Sequence, residues 1–311
     1  MADQTQILPG DPCYVVTHRF AVINGVRLHY VAAEPRSESA IGRAPLCILL
    51  HGFPEFWYSW RRQIPALTAA GFRVLAVDQR GYNLSDKPAA VSSYRIDELS
   101  ADVAGLIAHV GEQKAHVIGH DWGGVVAWAV ALRYPEAVDK LVVLNAPHPV
   151  AYVRELRTWQ QRLRSWYVLF FQLPSLPELL IRAGNYALLE RGFLREPVHA
   201  DTFSAADVLL YKKALSQPGA LTAALNYYRA AFRNRRALQR QFDRLTVPTL
   251  LLWGERDRYL GLPLTEGLER WVANLRLERI ADASHWVQND APHHVNAAIL
   301  KFLAGSETPA D

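Results

Sequence analysis

Hydrophobic and polar positions alternate along the first half of the chain in two rhythms. Residues 14–23 and Val26–Ala33 are β-rich runs on either side of Asn24-Gly25, the dipeptide of a tight hairpin turn. Leu46–Leu50 and the stretches 74–77, 116–118 and 141–144 are short, continuous apolar runs. Such runs suit strands buried on both faces of a parallel sheet. Between them, residues 57–70, 96–110 and 122–134 carry apolar positions at helical spacing. Strand–helix alternation after an initial hairpin predicts a mostly parallel sheet with helices on both sides.

The rhythm stops near Pro147. From there to about Arg244 the chain is rich in Arg, Leu and aromatic residues and reads as helices, broken by Pro174, Pro177, Pro197 and Pro218. Residues 247–253 then resume the strand pattern, and 262–272, Leu275–Ile280 and Pro292–Leu303 follow as helix, strand and helix. The expected organisation is an α/β core in two parts, 1–146 and 245–311, split by a helical insertion over 147–244.

Composition excludes several classes. The chain has 311 residues, half of them hydrophobic, which is enough for a large core. Charged residues are 21 % and the net charge is +4, with basic residues spread along the chain. The densest run is Arg233, Arg235, Arg236, Arg240 and Arg244. Its spacing, with Leu238, Phe242 and Leu245 between, fits the wet face of an amphipathic helix and does not call for nucleic acid. Of two cysteines, Cys47 lies in an apolar run and reads as a buried small hydrophobe, and Cys13 lies near the N-terminus. No disulfide framework or zinc spacing is present. The first residues show no basic stretch followed by an apolar one, and no run reaches the roughly 18 apolar residues that span a bilayer. The expectation is a cytoplasmic protein with no membrane partner; a homodimer is left open.

The candidate chemistry centres on Gly119-His120-Asp121-Trp122-Gly123, which has the form Gly-x-nucleophile-x-Gly between a strand and a helix. That is a nucleophile elbow, with Asp121 at the start of a helix whose dipole favours negative charge. An aspartate there could also be a plain helix cap. Its partners decide otherwise. Asp257 follows a strand in Trp253-Gly-Glu-Arg-Asp257, and His285 follows the last strand in Ala283-Ser-His285. Nucleophile, acid and histidine in that order make a triad on loops at one sheet edge. Asn145, after the preceding strand, cannot carry charge, so Asp257 is the acid. His51-Gly52-Phe53-Pro54-Glu55 follows the strand Leu46–Leu50 and would supply oxyanion donors, the N–H groups of Phe53 and Trp122. Phe53-Pro54 is a candidate cis bond. The histidines His51, His116, His120, His148, His285, His293 and His294 form no ligand set by spacing, so no metal or organic cofactor is expected.

On these segments, with Asp78-Gln-Arg-Gly-Tyr-Asn-Leu-Ser-Asp-Lys-Pro88, Ser165-Trp-Tyr-Val-Leu-Phe-Phe-Gln172 and Leu225-Asn-Tyr-Tyr-Arg229, the chain resembles the α/β-hydrolase-fold epoxide hydrolases over nearly its whole length. The resemblance implies an eight-stranded, mostly parallel sheet with a helical cap. It implies that Tyr167 and Tyr228 point from the cap at the nucleophile and hold the epoxide oxygen, and that Tyr227 faces elsewhere. Trp122, Phe53, Pro54 and His120 are then expected to contact the epoxide, with water as co-substrate.

Two rivals share this scaffold. A haloalkane dehalogenase also uses an aspartate and has Trp after it, as Trp122 is here. Its second halide donor is often Asn at the position of Phe53, whose side chain cannot donate. A non-catalytic small-molecule receptor would keep the fold without turnover.

Overall fold

The computed structural model describes residues 4–8, 14–35, 44–234 and 244–305. Nine strands form one sheet among the described residues, in the order β1-β2-β3-β5-β4-β6-β7-β8-β9. They are β1 (Gln4–Ile7), β2 (Val15–Ile23), β3 (Val26–Ala33), β4 (Leu46–Leu50), β5 (Arg73–Asp78), β6 (Ala115–His120), β7 (Val138–Leu144), β8 (Thr249–Gly254) and β9 (Leu275–Ile280). β1, β2 and β3 pair antiparallel, and β3 pairs antiparallel with β5. From β5 to β9 every pairing is parallel.

The hairpin turn forms as its dipeptide demands: Asn24 and Gly25 both have positive φ, 50° and 75°. One strand exceeds the expected eight. β1 is a four-residue edge strand, exposed throughout and held by pairing to β2. An exposed edge has no apolar face to bury, so no alternation marks it in the sequence.

The core helices are α1 (Ile64–Ala69), α2 (Ile96–His109), α3 (Trp122–Arg133), α10 (Val287–Asp290) and α11 (Pro292–Leu303). The helix expected over 57–70 is a 3₁₀ turn, Trp57–Trp60, followed by α1 with Pro65 in its first turn. The helix expected over 262–272 is two 3₁₀ turns, Leu262–Thr265 and Leu268–Arg270, separated by Gly267 at φ 66°. Proline and a left-handed glycine break what the apolar spacing alone would join.

Between β7 and β8 the chain forms α4 (Pro149–Glu155), α5 (Trp159–Arg164), α6 (Trp166–Phe170), α7 (Leu176–Arg195), α8 (Ala205–Leu215) and α9 (Ala220–Arg233). Prolines fall at their junctions: Pro174 precedes α7, Pro177 is in its first turn, Pro197 follows it and Pro218 precedes α9. Within α7, residues 183–186 leave helical geometry, so it is two helices across a kink. Cys47 is fully buried in β4. Cys13, and the arginine run apart from Arg233 and Arg244, lie outside the described residues.

Candidate active site

The parallel strands end at one edge, and the site is built there. β6 delivers Asp121, β4 the loop Gly52–Phe53, β7 Asn145, β8 Asp257 and β9 His285. Asp121 sits at φ 50°, ψ −121°, a conformation that costs a non-glycine residue about 1–3 kcal/mol. The turn is closed by its glycines. A Cβ on Gly119 would run into the carbonyl oxygen of Gly123, and one on Gly123 into that of Leu50. Gly52 is as restricted, because its Cβ would collide with the Asp121 side chain.

The three triad candidates meet. His285 Nδ1 is 2.7 Å from Asp257 Oδ2, and His285 Nε2 is 3.4 Å from Asp121 Oδ2. Phe53 N–H donates to Asp121 Oδ1 at 2.7 Å. Trp122 is the first residue of α3, so its N–H is among the helix's free donors. The Phe53-Pro54 bond is cis. Asp257 is buried and also accepts Tyr259 N–H at 2.7 Å, Leu260 N–H at 2.9 Å and Asn145 Nδ2 at 2.7 Å.

Electrostatics follow from these contacts. Burial opposes charge on Asp121. The His285 hydrogen bond and charge, with His120 and the Phe53 amide, outweigh it and hold the carboxyl below its ordinary pKa. Burial likewise opposes charge on His285, but Asp257 and Asp121 raise its pKa well above 6.5. The resting pair is therefore carboxylate and imidazolium. Tyr167 and Tyr228 are pushed well above pKa 10, chiefly by burial and, for Tyr228, next by the Asp121 charge, so both stay protonated donors.

Asp121, Tyr167 and Tyr228 together line two cavities that flank the nucleophile. One is walled by Trp122, Val125, Tyr152 and Leu260. The other is walled by Phe53, Pro54, Phe171, Tyr259, His285 and Trp286. The Tyr228 ring meets Trp122, Phe53 and Tyr167 edge-on at 5.0, 5.6 and 5.9 Å between centroids. Tyr227 turns its hydroxyl to the Arg80 carbonyl, at 2.7 Å.

One expected contact is corrected. His120 does not reach either cavity. It is fully buried beneath the site, its Nδ1 2.9 Å from Glu55 Oε2 and its Nε2 2.8 Å from the His285 carbonyl. His120 is the last residue of β6 and Asp121 leaves the strand at φ 50°, so the two side chains part and His120 braces the loops from below.

Other residues act on the site unannounced by the motifs. Asn145 donates to Asp257 and accepts Gly254 N–H at 2.8 Å. Gln161 on α5 holds the acid loop twice, through the Tyr259 carbonyl at 2.8 Å and Gly261 N–H at 3.1 Å. Arg229 on α9 bonds the Phe171 carbonyl at 2.9 Å and pairs with Glu178 at 2.8 Å, tying the Tyr228 helix to the end of the Tyr167 helix. No group of three metal-ligating side chains occurs among the described residues.

Comparison with known proteins places the chain in a family. The family described as alpha/beta hydrolase fold matches residues 45–292. The AB hydrolase superfamily protein YfhM of Bacillus subtilis is 45% identical, over 92% of this chain and 97% of its own length. Epoxide hydrolase 4 of Mus musculus is 40% identical, over 94% of this chain and 80% of its own length. The chain belongs to the epoxide hydrolase family of the α/β-hydrolase fold. Among solved structures of that family, Bacillus megaterium epoxide hydrolase in complex with an inhibitor aligns with TM-score 0.82 at 32% identity, covering 92% of this chain and all of that one.

Proposed function

We propose that this family member hydrolyses epoxides to vicinal diols through a covalent ester on Asp121. The observation that carries the reading is one carboxylate, hydrogen-bonded by Phe53 N–H and facing His285, in cavities shared with two protonated tyrosines.

A carboxylate oxygen of Asp121 attacks an epoxide carbon, and the carbon–oxygen bond breaks. The electron pair passes to the epoxide oxygen, which takes a proton from Tyr167 or Tyr228. Esterification removes the Asp121 charge that helps keep His285 protonated. The histidine then loses its proton, which restores the tyrosinate to a phenol, and becomes a base oriented by Asp257. It takes a proton from water, whose oxygen attacks the ester carbonyl. The oxyanion forms where Phe53 N–H already donates, with Trp122 N–H as second donor. Collapse breaks the ester carbon–oxygen bond, the remaining water proton passes from the carboxyl to the leaving alkoxide, and the diol departs from a restored carboxylate. The helices of 147–244 act as the cap that supplies both phenols. Phe53, Pro54 and Trp122 wall the substrate.

A halide site would need a second side-chain donor beside the Trp122 indole N–H, and Phe53, at the position where that donor is expected, has none. The test is turnover of aryl and aliphatic epoxides beside haloalkanes and p-nitrophenyl esters. Diol formation with no halide release is expected. Halide release without diol formation would overturn the reading.

A further inference from the structure

Helices α5 and α6 turn large apolar side chains to solvent. Inward, α5 carries buried Gln161, hydrogen-bonded at 3.0 Å to Ser165 at the junction of the two helices, and α6 packs Tyr167 and Val168 against the core. Their outward face carries Trp159, Leu163, Trp166 and Leu169, exposed by 67, 62, 62 and 62 %. Trp159 and Leu163 lie one turn apart on α5, and Trp166 and Leu169 one turn apart on α6. Leu179 and Leu188 on α7 are exposed as well, at 67 and 59 %.

Basic charge surrounds this surface. Arg157, Arg162, Arg164, Arg182, Arg191 and Arg195 are all exposed. The acids of the same stretch, Glu178 and Glu190, are paired with Arg229 and Lys212. Residues 157–195 thus hold six arginines against two glutamates. Exposed Trp and Leu between arginines is the composition of a surface that settles into the headgroup region of an anionic bilayer. Two copies meeting through this face would bring like charge together, which disfavours self-association there.

The cavity walled by Phe53 and Tyr259 opens onto the same surface. Trp166 and Leu188, both exposed, line it together with Asp121. A solute leaving the acyl boundary would reach the nucleophile along apolar side chains.

We propose that the outer face of α5, α6 and α7 docks on an anionic lipid surface and admits lipophilic epoxides from it. The substrate class rests on the function proposed above; the docking does not. The expected absence of a membrane partner came from the lack of a spanning segment, and no helix of the described residues is long and apolar enough to cross a bilayer. Surface docking needs no such helix.

The test is sedimentation of the full chain with phosphatidylcholine vesicles, with and without phosphatidylglycerol. Salt-sensitive binding to the phosphatidylglycerol vesicles is expected. The double variants Leu163→Ser/Leu169→Ser and Arg157→Glu/Arg162→Glu should each weaken it about tenfold or more, since each arginine at an anionic surface contributes several-fold. Their turnover of a small water-soluble epoxide should be unchanged. Absent binding, equal binding to both compositions, or wild-type binding by both variants would overturn the proposal. So would light scattering that shows a wild-type dimer lost in the leucine variant without vesicle binding. Vesicle binding by a protein that turns over no epoxide would remove the activity and leave the docking standing.

Discussion

At Asp121 the backbone and the carboxylate are constrained by different neighbours: glycines close the turn, while Phe53 and His285 hold the oxygens. Because Asp121 is held below and His285 well above its ordinary pKa, the two half-reactions respond differently to acid. In the ester, His285 has lost one carboxylate partner, so falling pH protonates it before it protonates free Asp121. Ring opening then persists while ester hydrolysis slows. The fraction of covalent ester, read by acid quench and intact mass, is expected to rise as pH falls; a fraction that falls would contradict the scheme. Tyr167→Phe and Tyr228→Phe should each slow single-turnover ring opening by ~10²-fold, the contribution of a positioned proton donor. Silence in both would remove the tyrosines from the chemistry. Asp121, Asp257 and His285 could be grouped from the sequence because the elbow and strand ends have a fixed order, whereas the tyrosines rested on the family resemblance alone. His120 was misread because sequence adjacency to Asp121 does not show which face of the strand a side chain takes.

Between elements, one buried pair ties the helical insertion together and one side chain couples it to the core. Arg229 and Glu178 are a buried pair joining α9 to the start of α7. Arg229→Ala is expected to destabilise the fold by about 3 kcal/mol in denaturant titration, since it leaves a carboxylate buried without its partner. Gln161 binds the acid loop at the Tyr259 carbonyl and Gly261 N–H. Gln161→Ala should slow ester hydrolysis about five- to tenfold, the value of a net hydrogen bond or slightly more, with ring opening nearly unchanged. Equal slowing of both steps would make Gln161 merely structural. The sequence could not announce either residue. Both act through contacts distant along the chain, such as the 98 residues separating Gln161 from Tyr259. Broken helices at 57–70 and 262–272 were overread for a related reason, since apolar spacing is blind to proline geometry and to the positive φ of Gly267.

Across the whole molecule, the alternation of apolar strands and helices was enough to foresee a parallel sheet, because strands buried on both faces carry a strong signal. The edge strand β1 carries none, being exposed throughout. The outward apolar face of α5 and α6 is equally hidden, because a stretch rich in aromatic residues and leucine does not show which side chains turn to solvent. The proposed mechanism joins core and insertion at a carboxylate that becomes an ester. Intact-mass and peptide mapping of His285→Gln after mixing with an epoxide test that most directly. The expected result is an adduct of one substrate mass on the peptide containing Asp121, absent from Asp121→Ala. A turning-over wild type with no adduct on that peptide in His285→Gln, under any epoxide it hydrolyses, would contradict the mechanism.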